Sequence, residues 1–257
     1  MIEVTMESEE YLAALSLFAR EREPKPRALE TVTWCAANGA RILYPGHEDY
    51  PFDTSRLGYA PPFLSCLGGT PWKNARCISI VGSREPSRNA LTWMETYLPE
   101  FIRESRAVVV SGGARGIDQK AHALALRAGR PTVVFVPSGL GRMYPSEWSE
   151  WKNEVLGAGG SILSTYAPLQ EIRRSHFEER NRLITVLGKL LFVVEARRRS
   201  GSLMTARMAR EIDRTLCVLP AFPGDPRAAG TVDLLFEGAL PIRDAHDLSV
   251  LFAMSAC

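Results

Sequence analysis

The chain has 257 residues, of which 46% are hydrophobic and 23% charged, and a formal net charge of +2. This mixture suits a soluble globular protein with enough apolar material for a core. It excludes wholesale disorder, a collagen-like chain and a disulfide-stapled miniprotein.

Apolar runs such as Leu190–Val194 fall far short of the roughly 20 residues that a membrane-spanning helix needs. Glu3, Glu7, Glu9 and Glu10 crowd the N-terminus, unlike a secretory signal. The five cysteines, Cys35, Cys66, Cys77, Cys217 and Cys257, form no CxxC pair and are odd in number. Reduced thiols in a cytoplasmic protein are the simplest reading. Charge is unevenly spread. Residues 1–23 hold six acids and two arginines, net −4, whereas residues 173–214 hold eleven Arg/Lys and five Asp/Glu, net +6. The second segment calls for an anionic partner or is a solvated basic face.

In chain order, Ser8–Arg20 reads as an amphipathic helix with Leu12, Leu15 and Phe18 on one face. Glu23-Pro24-Lys25-Pro26 reads as a break, and Arg27–Asn38 as a second helix stopped by Asn38-Gly39. Residues 1–42 thus form a short helical segment. Residues 43–75, rich in Pro, Gly and aromatics, read as an irregular extension packed on the core. From residue 76 to 248, apolar runs alternate with helical patterns. The expected strands are Cys77–Val81, Ala107–Val110, Thr132–Val136, Ser161–Ser164, Leu190–Glu195 and Thr215–Leu219. Pro86–Glu104, Ile117–Ala128, Ser146–Leu156 and Ser202–Ile212 read as helices, and residues 249–257 as a C-terminal tail. This pattern defines an α/β protein, with a mainly parallel sheet covered by helices on both faces. Ligands of such sheets sit outside the carboxyl ends of the strands, so the residues after each strand are the candidates for function.

After the first strand stands Gly82-Ser83-Arg84-Glu85-Pro86. Gly82 permits a close turn, Ser83 offers a hydroxyl, and Arg84 can fork onto a phosphate at a helix start. The second strand leads into Ser111-Gly112-Gly113-Ala114-Arg115-Gly116-Ile117-Asp118, whose glycines let backbone N–H groups approach an anion. Neither a dinucleotide fingerprint nor a Walker A motif is present. Asp118 can cap the following helix, and His122 can be a structural histidine. Pro137–Gly141 and Tyr144-Pro145 follow the third strand, where Tyr144 either stacks or packs. Phe177, Arg180, Asn181 and Arg182 combine an aromatic with basic and amide groups, which suits base stacking and phosphate contact, or else a helix start with Phe177 buried. Glu195 ends a strand and could orient an arginine. The Arg197–Arg199 triplet then leads to Ser200-Gly201-Ser202, where a helix cap and a phosphate cradle are equally consistent with the residues. No zinc spacing, HExxH or G-x-S-x-G elbow occurs.

Five segments in order, SIVGSR, SGGARGIDQKAH, GLGRMYP, FEERNRLI and VVEARRRSGSLMTARMA, resemble the DNA-processing protein A family (DprA, also called Smf). LYPGHEDYP and PPFLSCLGG resemble its entry segment, so the likeness spans roughly Leu43 to Leu248. It implies an extended Rossmann-like fold, sequence-independent binding of single-stranded DNA, and loading of the RecA recombinase in natural transformation. It further implies a homodimer, and no catalytic step, cofactor or metal. By position, the implied DNA-facing residues are Gly82, Ser83, Arg84, Ser111, Gly112, Gly113, Arg115, Phe177, Asn181, Arg182, Gly201 and Ser202. Glu178 and Glu179 replace the family's Pro-Arg/Lys pair and should weaken a nearby phosphate contact. No winged-helix domain follows in this sequence, so duplex binding of that kind is not expected. The alternative is a nucleotide-binding or nucleotide-hydrolysing enzyme related to phosphoribohydrolases, whose Pro-Gly-Gly-x-Gly-Thr-x-x-Glu signature this sequence lacks.

Overall fold

A computed structural model describes residues 8–53 and 60–255. The chain opens with two helices, α1 (Glu9–Leu17) and α2 (Pro24–Ala37). Ser8 caps α1 by accepting from the Tyr11 amide at 3.2 Å. The Pro24 and Pro26 read as a break instead lie in the first turn of α2. Proline is tolerated there because its missing N–H would have no intrahelical partner.

A hairpin-like pair follows, β1 (Arg41–Leu43) and β2 (Leu64–Gly68), which run antiparallel. The expectation of irregular chain at 43–75 is corrected here, because β2 pairs antiparallel with β6 (Ser161–Ser164) and enlarges the main sheet. The parallel part comprises β3 (Cys77–Val81), β4 (Val108–Ser111), β5 (Thr132–Phe135), β6, β7 (Leu190–Val193), β8 (Thr215–Val218) and β9 (Leu240–Pro241). Among the described residues the sheet has nine strands in the order β1-β2-β6-β5-β4-β3-β7-β8-β9.

The connecting helices are α3 (Arg88–Ser105), α4 (Ile117–Arg127), α5 (Trp148–Gly157), α6 (Arg174–Leu187), α7 (Gly201–Glu211), α8 (Ala229–Phe236) and α9 (Ala245–Met254). Strand alternation sends Cys77 and Val81 to one face, with α6, α7 and α8, and Ile78 and Ile80 to the other, with α3, α4 and α9. The first two helices and α5 cover the rest of that second face over Val134, Val136 and Ile162. This is a Rossmann-like α/β arrangement with helices on both faces. The C-terminal stretch read as a tail is also corrected: α9 runs to Met254, and its buried Phe252 meets Phe101 edge-on at 5.4 Å.

Strand order reverses at β3. The chain leaves β3 towards β4 on one side and returns as β7 on the other. A crevice must open between the loops at this switch point, at the carboxyl ends of the strands. Among the described residues no helix is long and apolar enough to cross a membrane.

Candidate functional site

The crevice is a cleft of about 370 Å³ lined by the loops after β3, β4 and β7 together with α6 and the start of α7. Beside it lies a second hollow of about 530 Å³, reaching to Arg115, Tyr144 and Glu147. Arg84, Glu85, Ala114, Phe177 and Arg180 line both, so the two form one groove along the sheet edge.

Phe177 stands on the divide, half-buried. The guanidinium groups of Arg84 and Arg180 lie 5.4 and 5.6 Å from its ring centroid, within cation–π reach, and Tyr144 meets it edge-on at 6.1 Å. Phe177 is thus framed by cations, while the exposed Arg84 remains available to an anion.

Arg180 is 5% exposed. It donates to the carbonyls of Gly112 and, at 3.4 Å, Phe135, while its Nε has no hydrogen-bond partner. Burial pulls the guanidinium below its ordinary range, and the nearby Asp118 carboxylate opposes this. Asp118, also buried, accepts from the Ala114 amide at 3.3 Å. Burial pushes its carboxyl above the usual range, with Arg180 and the Ala114 amide pulling the other way. Arg180 is not among the residues that the family resemblance assigns to the site. Helical spacing points to it, since residues 177, 180, 181 and 184 share one face of α6 and residue 182 does not.

The glycines of the second loop have a packing explanation. A Cβ on Gly112 would lie 1.6 Å from Arg180 Nη1, and one on Gly113 would lie 2.4 Å from Trp148 Nε1. Gly113 also has φ +70°, which L side chains rarely adopt. Trp148 donates to the Gly113 carbonyl at 2.7 Å, and His122 sits edge-on to Trp148 at 5.2 Å. Thr132 donates its hydroxyl proton to Val109, so His122 Nδ1 donates to Thr132 Oγ1 at 2.7 Å and its buried Nε2 is left bare. Desolvation holds this histidine down to about 3, which makes it a neutral structural residue.

Two helix starts behave differently. The start of α3, which the sequence offers to an anion, is already occupied: buried Glu195 accepts from the Ser87 amide at 3.1 and 3.2 Å. Glu195 therefore stabilises a helix dipole, and the expectation that it orients an arginine is corrected. The start of α7 opens into the cleft. Ser200 caps it by accepting from the Leu203 amide at 3.4 Å, Gly201 is exposed, and Ser202 ties it to the first loop by donating to Gly82 at 2.9 Å.

Of the residues singled out in the sequence, Gly82, Ser83, Arg84, Phe177, Asn181, Gly201 and Ser202 line the cleft, and Gly112 and Arg115 line the adjoining hollow. Three do not line either. Ser111 is fully buried and donates to Ile80 at 2.6 Å, Gly113 lies under Trp148, and Arg182 lies outside both linings. Glu179 accepts from the Tyr166 hydroxyl at 2.6 Å, and neither it nor Glu178 lines the groove. No cluster of three or more His, Cys, Asp or Glu suited to a metal occurs among the described residues.

Fold and groove together define a Rossmann-like α/β protein with a cationic, aromatic-centred groove at its switch point. Residues 41–253 match the family described as DNA recombination-mediator protein A, and the chain belongs to that family. It is 32% identical over 212 residues to protein Smf of Synechocystis, covering 81% of this chain but only 53% of that relative's length. DNA processing protein A of Streptococcus pneumoniae superposes with a TM-score of 0.76 at 26% identity, over 94% of this chain and 92% of that one. The same protein from Helicobacter pylori, whose structure describes a single-stranded DNA binding mode, superposes with a TM-score of 0.72 at 28% identity, over 84% and 96%.

Proposed function

We propose that this chain binds single-stranded DNA without sequence preference along the carboxyl-edge groove and presents the strand to the RecA recombinase during natural transformation. The observation that carries the reading is the alignment of Arg84, Phe177 and the α7 start in one groove. Phosphates contact Arg84 and the first turn of α7, and a base stacks on Phe177. Neither contact reads base edges, so binding tolerates sequence. Family membership supports the same reading, as does the single-stranded DNA binding described for the H. pylori protein. The protein acts as a homodimer and performs no catalytic step of its own.

Anisotropy of a labelled single-stranded oligonucleotide, titrated at several salt concentrations with duplex as competitor, tests this. Binding should favour the single strand and weaken with salt, by a logarithmic slope of about 0.7 per phosphate contact. Arg84→Glu should weaken it at least tenfold; unchanged affinity would remove the groove from the proposal.

A further inference from the structure

The opposite edge of the sheet carries a regular feature that the groove does not use. Each of five adjacent parallel strands is entered by a cation one or two residues before it begins. In spatial order β5, β4, β3, β7, β8, these are Arg130, Arg106, Arg76, Lys189 and Arg214. Adjacent strands lie about 4.8 Å apart, so the row extends over roughly 19 Å. All five are at least partly exposed. Two hollows of about 560 and 500 Å³ lie along this edge and share Asn74, Ala75 and Arg76. Trp72, half-buried, lines the first.

Part of this row is structural. Helices end at this edge, and cations favour helix C-termini. Arg130 donates to the Arg106 carbonyl at 2.9 Å, Arg214 to Val186 at 2.9 Å, and Arg76 to Phe252. For Arg130 and Arg76, those bonds to neutral carbonyls neutralise no charge. Arg76, Arg106, Arg130 and Lys189 enter no ion pair among the described residues. Arg106 and Lys189 have no side-chain hydrogen bond there that would explain them as caps. The carboxylates that line the hollows are Asp53 and Glu104.

We propose that this row is a second binding surface, which takes the phosphodiester backbone of a single-stranded nucleic acid across the amino ends of β5, β4, β3, β7 and β8. A linear polyanion matches a linear row of cations at strand spacing, and the half-buried Trp72 offers an indole at its rim. The proposal does not depend on the carboxyl-edge groove binding DNA.

The double variant Arg106→Glu/Lys189→Glu tests it; Arg106 is the C-cap residue of α3, so a carboxylate there should lower the melting temperature a little, and binding is measured well below it. Anisotropy with a labelled single strand is measured for the parent, this variant, Arg84→Glu and the combination. The double variant should lower the salt slope by about 0.7 for each phosphate that the row no longer holds. Added to Arg84→Glu, it should remove the residual salt-dependent binding, by a further tenfold or more. An unchanged slope and affinity in both backgrounds overturns the row, whatever Arg84→Glu does. Loss of binding in the double variant with none in Arg84→Glu supports the row and removes the groove instead. Displacement of the oligonucleotide from the Arg84→Glu protein by poly-glutamate as readily as by unlabelled oligonucleotide also overturns the proposal, in favour of an acidic protein. The charge-neutral variant Arg106→Gln/Lys189→Gln should show the same change at smaller size.

Discussion

The two edges of the parallel sheet are both rich in arginine, yet they hold their charge differently. At the carboxyl edge many cations are already matched. Arg115 pairs with Glu147, Arg142 with Glu171, Arg197 with Glu85 at 3.0 Å, and Arg198 with Asp233 at 2.7 Å. The carboxyl edge also buries a cation and a carboxylate, Arg180 and Asp118, as part of its framework. At the amino edge Arg130 and Arg76 rest on backbone carbonyls, which orient a guanidinium without neutralising its charge. A crevice between loops must be built, and the building uses ion pairs. A row at helix ends follows from the fold itself, because every parallel crossover returns a helix C-terminus to the same edge.

The largest effect that separates the edges should come from the buried framework. Arg180→Ala leaves the Asp118 carboxyl buried beside a void and should cost about 3 kcal/mol or more of stability, read by urea unfolding. Adding Asp118→Asn should recover part of the loss; full additivity would show that the two groups are uncoupled.

Acid should attack the same edge. His122 is held at about 3 in the folded protein, well below an ordinary histidine near 6.5. Its stabilising contribution is complete above about 6.5 and declines as pH falls towards 3. The loss reaches roughly 2–3 kcal/mol by about pH 4.5. Equilibrium unfolding across this range should show it, and His122→Phe should flatten the profile.

Phe177→Ala tests the aromatic centre of the groove, removing the ring that Arg84 and Arg180 face. Single-strand affinity should fall by about 1–3 kcal/mol, at a salt slope close to that of the parent. A changed slope with unchanged affinity would mean that the ring only positions Arg84.

The smallest effect concerns the matched cations. Glu147→Ala frees Arg115, and because an exposed pair is worth about 0–1 kcal/mol, binding should tighten by no more than about fivefold. No change would place Arg115 outside the path of the strand.

Much of this is legible in the residues. Runs such as Cys77–Val81 and Leu190–Val193 are apolar on both faces, which only a covered parallel strand requires, and the structure places them at the centre of the sheet. β2 is not legible in the same way, because Leu64-Ser65-Cys66-Leu67-Gly68 is short, mixed and set among prolines and glycines. Its partner β6 lies about a hundred residues away, and that pairing supplies what the local pattern lacks. The start of α2 is obscured for a related reason: Pro24 and Pro26 break a helix interior but suit a first turn, and position alone separates the two.

At the site, the residues alone show which chemistry is available: glycines, serines, arginines and two aromatics, Tyr144 and Phe177, after successive strands. Which of them line the groove follows only from how the chain packs. Gly112 and Gly113 make room for Arg180 and Trp148, Ser111 turns inward to Ile80, and Glu195 fills the α3 start while the α7 start opens on the cleft. The physical reason is distance along the chain. Strand period and helix caps act over a few residues. The contacts that spend or free a polar group here join residues 31 to 120 positions apart.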